Sequence, residues 1–163
     1  MHRLDAIKRK IIGGPALDRW LAVTAFRRKS VVFTNGCFDI LHSGHIHYLA
    51  KAAGMGDYLV IGLNSDASVK KIKGPSRPFI DENSRAMSLA GLGFVTAVIL
   101  FDDETPYELI KKIQPQYLVK GGDYKPEDIV GYDIVKAKGG QVLTIPLTEG
   151  YSSSSIISKI SGA

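Results

Sequence analysis

The sequence predicts an α/β domain built on a five-stranded parallel sheet with helices on both faces. Three observations carry this expectation. Short apolar runs alternate with amphipathic stretches along the whole chain, the order that winds strand–helix–strand units into a parallel sheet. One run, Tyr58 to Leu63 (YLVIGL), is continuously apolar, as a strand covered on both faces requires. Glycines and prolines close the amphipathic stretches where helices should end.

Residues 1–29 read as a helical leader ahead of a domain at 30–163. Leu4, Ile7, Ile11 and Ile12 fall near helical spacing, Gly13, Gly14 and Pro15 interrupt them, and Leu17, Leu21 and Phe26 resume the stripe beside Trp20. The plain role for such a leader is packing, on the domain or on a second subunit. Val31 to Thr34 is the first strand. A helix follows from Ser43 to Ala53, stopped by Gly54 and Gly56, and Tyr58 to Leu63 is the second strand. Residues 64–80 read as a polar loop, Asp81 to Leu92 as a helix, and Val95 to Phe101 as the third strand. Thr105, Pro106 and Glu108 form the signature of a capping box with proline in the first helical position, ahead of the apolar Leu109, Ile110 and Ile113. Tyr117 to Val119 is a short fourth strand. Ile129 to Lys138 reads as a helix, Gln141 to Ile145 as the fifth strand, and Ser152 to Ile160 as a closing helix.

The 163 residues suffice for one domain with a proper core, and 45% apolar with 23% charged residues is a globular composition. A net charge of +5 favours anions, whether nucleic acid or phosphorylated small molecules. The basic residues form no long tail, and neither nucleic acid nor a membrane is expected as a partner. The single cysteine, Cys37, excludes an intrachain disulfide, and no signal-peptide core or membrane-length apolar run is present, so the cytoplasm is the expected location.

In parallel α/β sheets ligands lie at the carboxyl ends of strands, so the turns after strands one, two, four and five matter most. After strand one comes Asn35-Gly36-Cys37-Phe38-Asp39, then His42-Ser43-Gly44-His45. Gly36 permits close backbone approach, and Gly44 leaves room beside the histidines. The helix start offers free N–H groups to a phosphate, and His42 and His45, three apart, project to one side of it. Two imidazoles there could donate hydrogen bonds to a phosphate as charge builds on it. The three histidines at 42, 45 and 47 match no zinc spacing, and no metal ligands are assigned. Neither a GxxxxGKS nor a GxGxxG loop occurs. Asp39 could orient the turn, cap local backbone or help hold a metal.

With these residues in view, GCFDILHSGH resembles the first signature of the HxGH nucleotidyltransferases, the cytidylyltransferase-like superfamily. LNSDASVKKIKGPSRP, FDDETP, VKGGDYKPEDIVG and EGYSSSSII are similar, in order, to segments of the bacterial heptose 1-phosphate adenylyltransferases, from about residue 30 to residue 160. The resemblance implies a Rossmann-like HxGH nucleotidyltransferase fold over 30–163. It implies ATP as substrate, with Mg2+, and transfer of AMP to D-glycero-β-D-manno-heptose 1-phosphate. The products are ADP-heptose, for lipopolysaccharide core synthesis, and pyrophosphate. The family is often fused behind a sugar kinase; this chain resembles the stand-alone form, with a separate kinase upstream and a homodimer expected.

It further implies a catalytic set of His42, His45 and Lys73. The nucleotide site would comprise Thr34, Asn35, Gly36, Cys37, Phe38, Asp39 and Gly44 from the first turn, Lys120, Gly121 and Asp123 from the fourth, and Ser152, Ser153 and Ser154 at the last helix start. Asn64, Asp66, Arg77 and Arg85 would meet the acceptor. Two departures stand out: Ala86 precedes Met87 after Arg85, and Leu147 stands where related cytidylyltransferases carry arginine, which counts against that branch. The alternatives are a cytidylyltransferase of this fold acting on glycerol 3-phosphate or a similar acceptor, and a non-catalytic nucleotide- or nucleic-acid-binding module.

Overall fold

The structure, a computed structural model, describes residues 2–146 together with 156 and 157. Five strands, β1 (Val31–Gly36), β2 (Tyr58–Asn64), β3 (Ala97–Phe101), β4 (Tyr117–Gly121) and β5 (Gln141–Ile145), form one sheet in the order β3-β2-β1-β4-β5. Every pairing is parallel. The winding reverses between β1 and β4, which makes their carboxyl ends the switch point of the sheet.

Alternate strand residues enter opposite cores. Val32, Leu59, Ile61 and Leu63 face one layer; Val31, Phe33, Val60, Ile99 and Leu118 face the other. Both layers are apolar, and that is why YLVIGL shows no alternation. Helices α3 (Ser43–Ala53) and α5 (Glu82–Ala90) cover the first layer through Leu49, Ala52, Ala86 and Leu89. Helices α2 (Gly14–Phe26), α6 (Tyr107–Ile113) and α7 (Tyr132–Ala137) cover the second through Leu17, Ile110, Ile113 and Val135.

The leader consists of α1 (Arg3–Lys8), a short link and α2. The link runs along the outer edge of β3: Val98 N–H donates to Lys10 O at 2.8 Å and Ile12 N–H to Val98 O at 3.0 Å. Ile7 and Ile11 rest on the first layer. Phe26, expected on the buried stripe, is 89% exposed, because α2 turns Leu17 and Thr24 inward instead.

Elsewhere the structure corrects the sequence reading. Residues 64–80 are not all loop: α4 (Asp66–Lys73) is capped by Ser65, whose side chain accepts from Ser68 N–H. Its apolar anchor is Val69, fully buried, while Ile72 is half exposed, so no stripe was visible. The capping box before α6 does not form; Pro106 occupies the cap position without a side-chain bond, and Glu108 reaches forward to Lys111. The helix expected at 129–138 starts later, as α7 at Tyr132, and a 3₁₀ turn (Pro126–Asp128) precedes it. Gly131 separates them at φ +91°, packed so closely that a Cβ would meet Ile110 at 2.7 Å. Of the closing helix expected at 152–160, Ile156 and Ile157 are helical, and the remainder lies outside the described residues.

Candidate active site

β1 pairs with β2 along its whole length, from Val31↔Tyr58 to Gly36↔Leu63. Its pairing with β4 stops at Phe33↔Leu118. Beyond that point the two strands part, and a cavity of about 180 Å³ opens between their ends. Asn35 to Asp39 line it from the turn after β1, His45 and Tyr48 from α3, Lys73 from the end of α4, and Lys120 and Gly121 from β4.

The turn is shaped by Phe38, which holds φ +45°, a left-handed conformation that costs a non-glycine residue energy and persists where its surroundings demand it. The turn tucks the Phe38 ring over Gly36, where a Cβ would lie 3.0 Å from the ring. The same ring meets His45 edge-on at 5.2 Å. His42 is the N-cap of α3 and His45 lies one turn on, so the two imidazoles stack, with centroids 3.8 Å apart and planes 24° from parallel. Such close rings are tolerable when uncharged. Burial lowers the pKa of His42; burial, then His42 and Lys73, bring His45 down to about 4, with the Ile40 carbonyl pulling the other way. At neutral pH both are neutral imidazoles. Burial also lowers the pKa of Lys120, partly offset by Cys37. The cleft thus brings the His45 ring, on which His42 stacks, and the two lysines to one small volume, an arrangement suited to a polyphosphate.

A second hollow of about 170 Å³ shares Asn35 and Lys120 with the first. Pro106, Tyr124, Asp128, Ile129 and Val130 complete it. Tyr124 belongs to the turn after β4 that the sequence places at the nucleotide; Pro106, Asp128, Ile129 and Val130 carried no expected site role, since Pro106 comes from a different connection and meets the others only in space. Tyr48 was also missed, although its position three residues after His45 on the same helix was a readable signal.

Other expected site residues are engaged with protein. Thr34 is fully buried, its hydroxyl 2.5 Å from Tyr48 Oη. Asp39 accepts from Arg77 Nε at 2.6 Å and from the Phe79 and Ile80 amides at 2.8 and 3.1 Å. Burial pushes its carboxyl up, but the Ile80 amide, Arg77 and the Phe79 amide together hold it below the ordinary carboxylate range. Arg85, 2% exposed, donates to Cys37 O at 2.5 Å, Ile80 O at 2.9 Å and Asp66 Oδ1 at 2.7 Å. Asn64 is buried and bonded to Ser68. Arg77 keeps a buried guanidinium nitrogen, Nη2, without a partner. Gly44 is buried in the first turn of α3, and Asp123 is exposed on the turn after β4. Leu147 and Ser152, Ser153 and Ser154 lie outside the described residues. Among the described residues no group of three or more His, Cys, Asp and Glu is placed to hold a metal ion, and both Asp39 carboxylate oxygens already accept hydrogen bonds from the protein.

A parallel sheet in this order, with an HxGH helix opening at its switch point, defines a nucleotidyltransferase: the chain belongs to the cytidylyltransferase-like family, whose model matches residues 33–159. Among particular relatives, it is 55% identical over 140 residues to the bifunctional protein HldE of Syntrophotalea carbinolica, covering 86% of this chain and 29% of that protein. The HldE protein of Trichlorobacter lovleyi is 50% identical over 151 residues, 93% of this chain and 31% of its own length. The chain therefore spans under a third of the length of these curated relatives. Among solved structures, the lipopolysaccharide core biosynthesis protein from Thermoplasma volcanium superposes with a TM-score of 0.61 at 30% identity, over 76% of this chain and 99% of that one. Pantoate-beta-alanine ligase from Francisella tularensis shares the fold, with a TM-score of 0.57 at 14% identity, over 94% of this chain and 78% of that one. No helix among the described residues is long and apolar enough to cross a membrane.

Proposed function

We propose that this chain transfers AMP from ATP to D-glycero-β-D-manno-heptose 1-phosphate, releasing pyrophosphate and forming ADP-heptose for the lipopolysaccharide core. The observation that carries this reading is His45, stacked on His42, sharing with Lys73 and Lys120 the opening between β1 and β4. The likeness to the HldE proteins and to the lipopolysaccharide core biosynthesis protein supports the choice of acceptor.

The chemistry is in-line substitution at the α-phosphorus. An oxygen of the sugar phosphate forms the new P–O bond, and the bond to the β-phosphate oxygen breaks with its electron pair leaving on pyrophosphate. No covalent enzyme intermediate is required. His42 and His45 donate N–H groups to the non-bridging oxygens as charge grows on them, and Lys73 and Lys120 neutralise the flanking phosphates. Each imidazole becomes a better donor once the triphosphate arrives, because a nearby anion raises its pKa. Magnesium enters as part of the nucleotide substrate, held by phosphate oxygens and water. The orphaned Nη2 of Arg77 supports a role in receiving the acceptor phosphate. Residues 30–163 form the transferase domain and 1–29 its helical leader. The serine-rich segment 152–154 receives the β- and γ-phosphates, a separate kinase supplies the sugar 1-phosphate, and the enzyme works as a cytoplasmic homodimer.

Pyrophosphate release tests the reaction. We expect turnover with ATP and the heptose 1-phosphate, and little with CTP and glycerol 3-phosphate. Turnover with the second pair alone would replace this reading with a cytidylyltransferase. Salt-sensitive RNA or DNA binding with no transfer activity would replace it with a binding module.

A further inference from the structure

Tyr48 lies where the sheet divides. The last β1–β4 pair is Phe33↔Leu118, so Thr34 and Val119 are the first residues past the fork. A side chain from α3 fills the space between them. Tyr48 is 6% exposed, and its hydroxyl donates to Val119 O at 3.0 Å. That carbonyl only accepts, so the single tyrosine proton is committed to it, and the Thr34 hydroxyl at 2.5 Å is the donor to Tyr48 Oη. The Gly121 amide acts on the same oxygen. One hydroxyl thus replaces the ladder bonds that the parted strands give up, and it joins β1, α3 and β4.

The position of this strut matters for the cleft. Tyr48 follows His45 by one helical turn and lines the same cavity. Its bond ends on Val119 and Gly121, the residues either side of Lys120. The strut therefore links the helix carrying the histidines to the strand carrying the lysine. We propose that Tyr48 is a positioning residue, whose hydroxyl sets the separation between the His42–His45 pair and Lys120 across the nucleotide phosphates. This inference rests on the nucleotidyl-transfer reading above.

The test is a double-mutant cycle in the 163-residue chain, using Tyr48→Phe and Lys120→Ala, with pyrophosphate release measured well below each protein's melting temperature. Tyr48→Phe keeps the ring and loses the strut. We expect kcat to fall at least ~10-fold with KM for ATP changed less than ~3-fold, because the misplaced lysine serves the developing charge more than ground-state binding. In the Lys120→Ala background the same substitution should cost less than ~3-fold, since its effect runs through a side chain no longer present. Equal losses in both backgrounds would overturn the proposal, as would wild-type kcat in Tyr48→Phe. If Tyr48→Phe does not fold, Thr34→Val removes one arm of the strut and is read in the same cycle: non-additivity with Lys120→Ala supports the proposal, additivity overturns it. Wild-type protein that turns over no nucleotide pair would instead refute the functional reading beneath it.

Discussion

His45 is folded into the chain as a neutral group, and this has a measurable cost at low pH. Its pKa falls from 6.5 to about 4, chiefly by burial. Between those values the unfolded chain binds a proton that the folded chain excludes, so stability is complete above about pH 6.5 and is lost as pH falls toward 4. The whole shift would be worth about 3 kcal/mol, and solvent reaching the partly exposed ring reduces this to about 1–2 kcal/mol. Urea midpoints at pH 7.0, 5.5 and 4.5 should fall in that order, and His45→Ala should flatten the decline. A His45→Ala slope equal to wild type would show that other groups carry it. The same substitution should lower turnover by at least ~100-fold if the ring stabilises charge at the reacting phosphate. Wild-type turnover would remove His45 from the reaction.

At the scale of elements, the segment from Gly74 to Ile80 is latched to the HxGH turn from both sides. Asp39 holds Arg77, Phe79 and Ile80, and Arg85 holds the carbonyls of Ile80 and Cys37. Lys73 thereby reaches the cleft from the end of a short helix steadied on the turn it serves. Arg85→Lys keeps the charge but cannot reach three acceptors in different directions, leaving buried carbonyls unpaired at a cost of about 2–3 kcal/mol. We expect a lower denaturant midpoint together with a raised KM for the sugar phosphate; an unchanged KM would separate the latch from the acceptor site. Arg85 also marks how far the sequence could be read. The strands and the pairing of glycine turn with helix start followed from periodicity, because two apolar layers and a phosphate-sized opening leave a local trace. The destination of an arginine side chain leaves none: its donors fit a phosphate or a carbonyl equally well, and only folding brought Cys37 within reach of residue 85. For the same reason α4 was hidden, with Val69 as its buried anchor, and the second hollow was invisible because Pro106 meets Tyr124 and Asp128 only in space.

For the whole molecule, the open question of design is the edge of β3. A parallel sheet ends in strands whose outer N–H and C=O groups invite pairing with another chain. Here the leader covers that edge, satisfying both backbone groups of Val98 through Lys10 and Ile12, and the Lys10 ammonium adds a bond to Leu92 O at 3.0 Å. Removing residues 2–12 forfeits two ladder bonds of about 1 kcal/mol each and the partial burial of Ile7 and Ile11, roughly 4 kcal/mol in all. A chain of this size should then melt about 10 °C lower. The exposed Val98 edge should also make the truncated protein associate as concentration rises, seen as a growing weight-average mass in light scattering. The leader could instead act as the contact between two subunits, and truncation separates the two roles: a dimer that becomes a stable monomer with little change in melting temperature would assign the leader to subunit contact, whereas lower stability with concentration-dependent association would assign it to guarding the sheet.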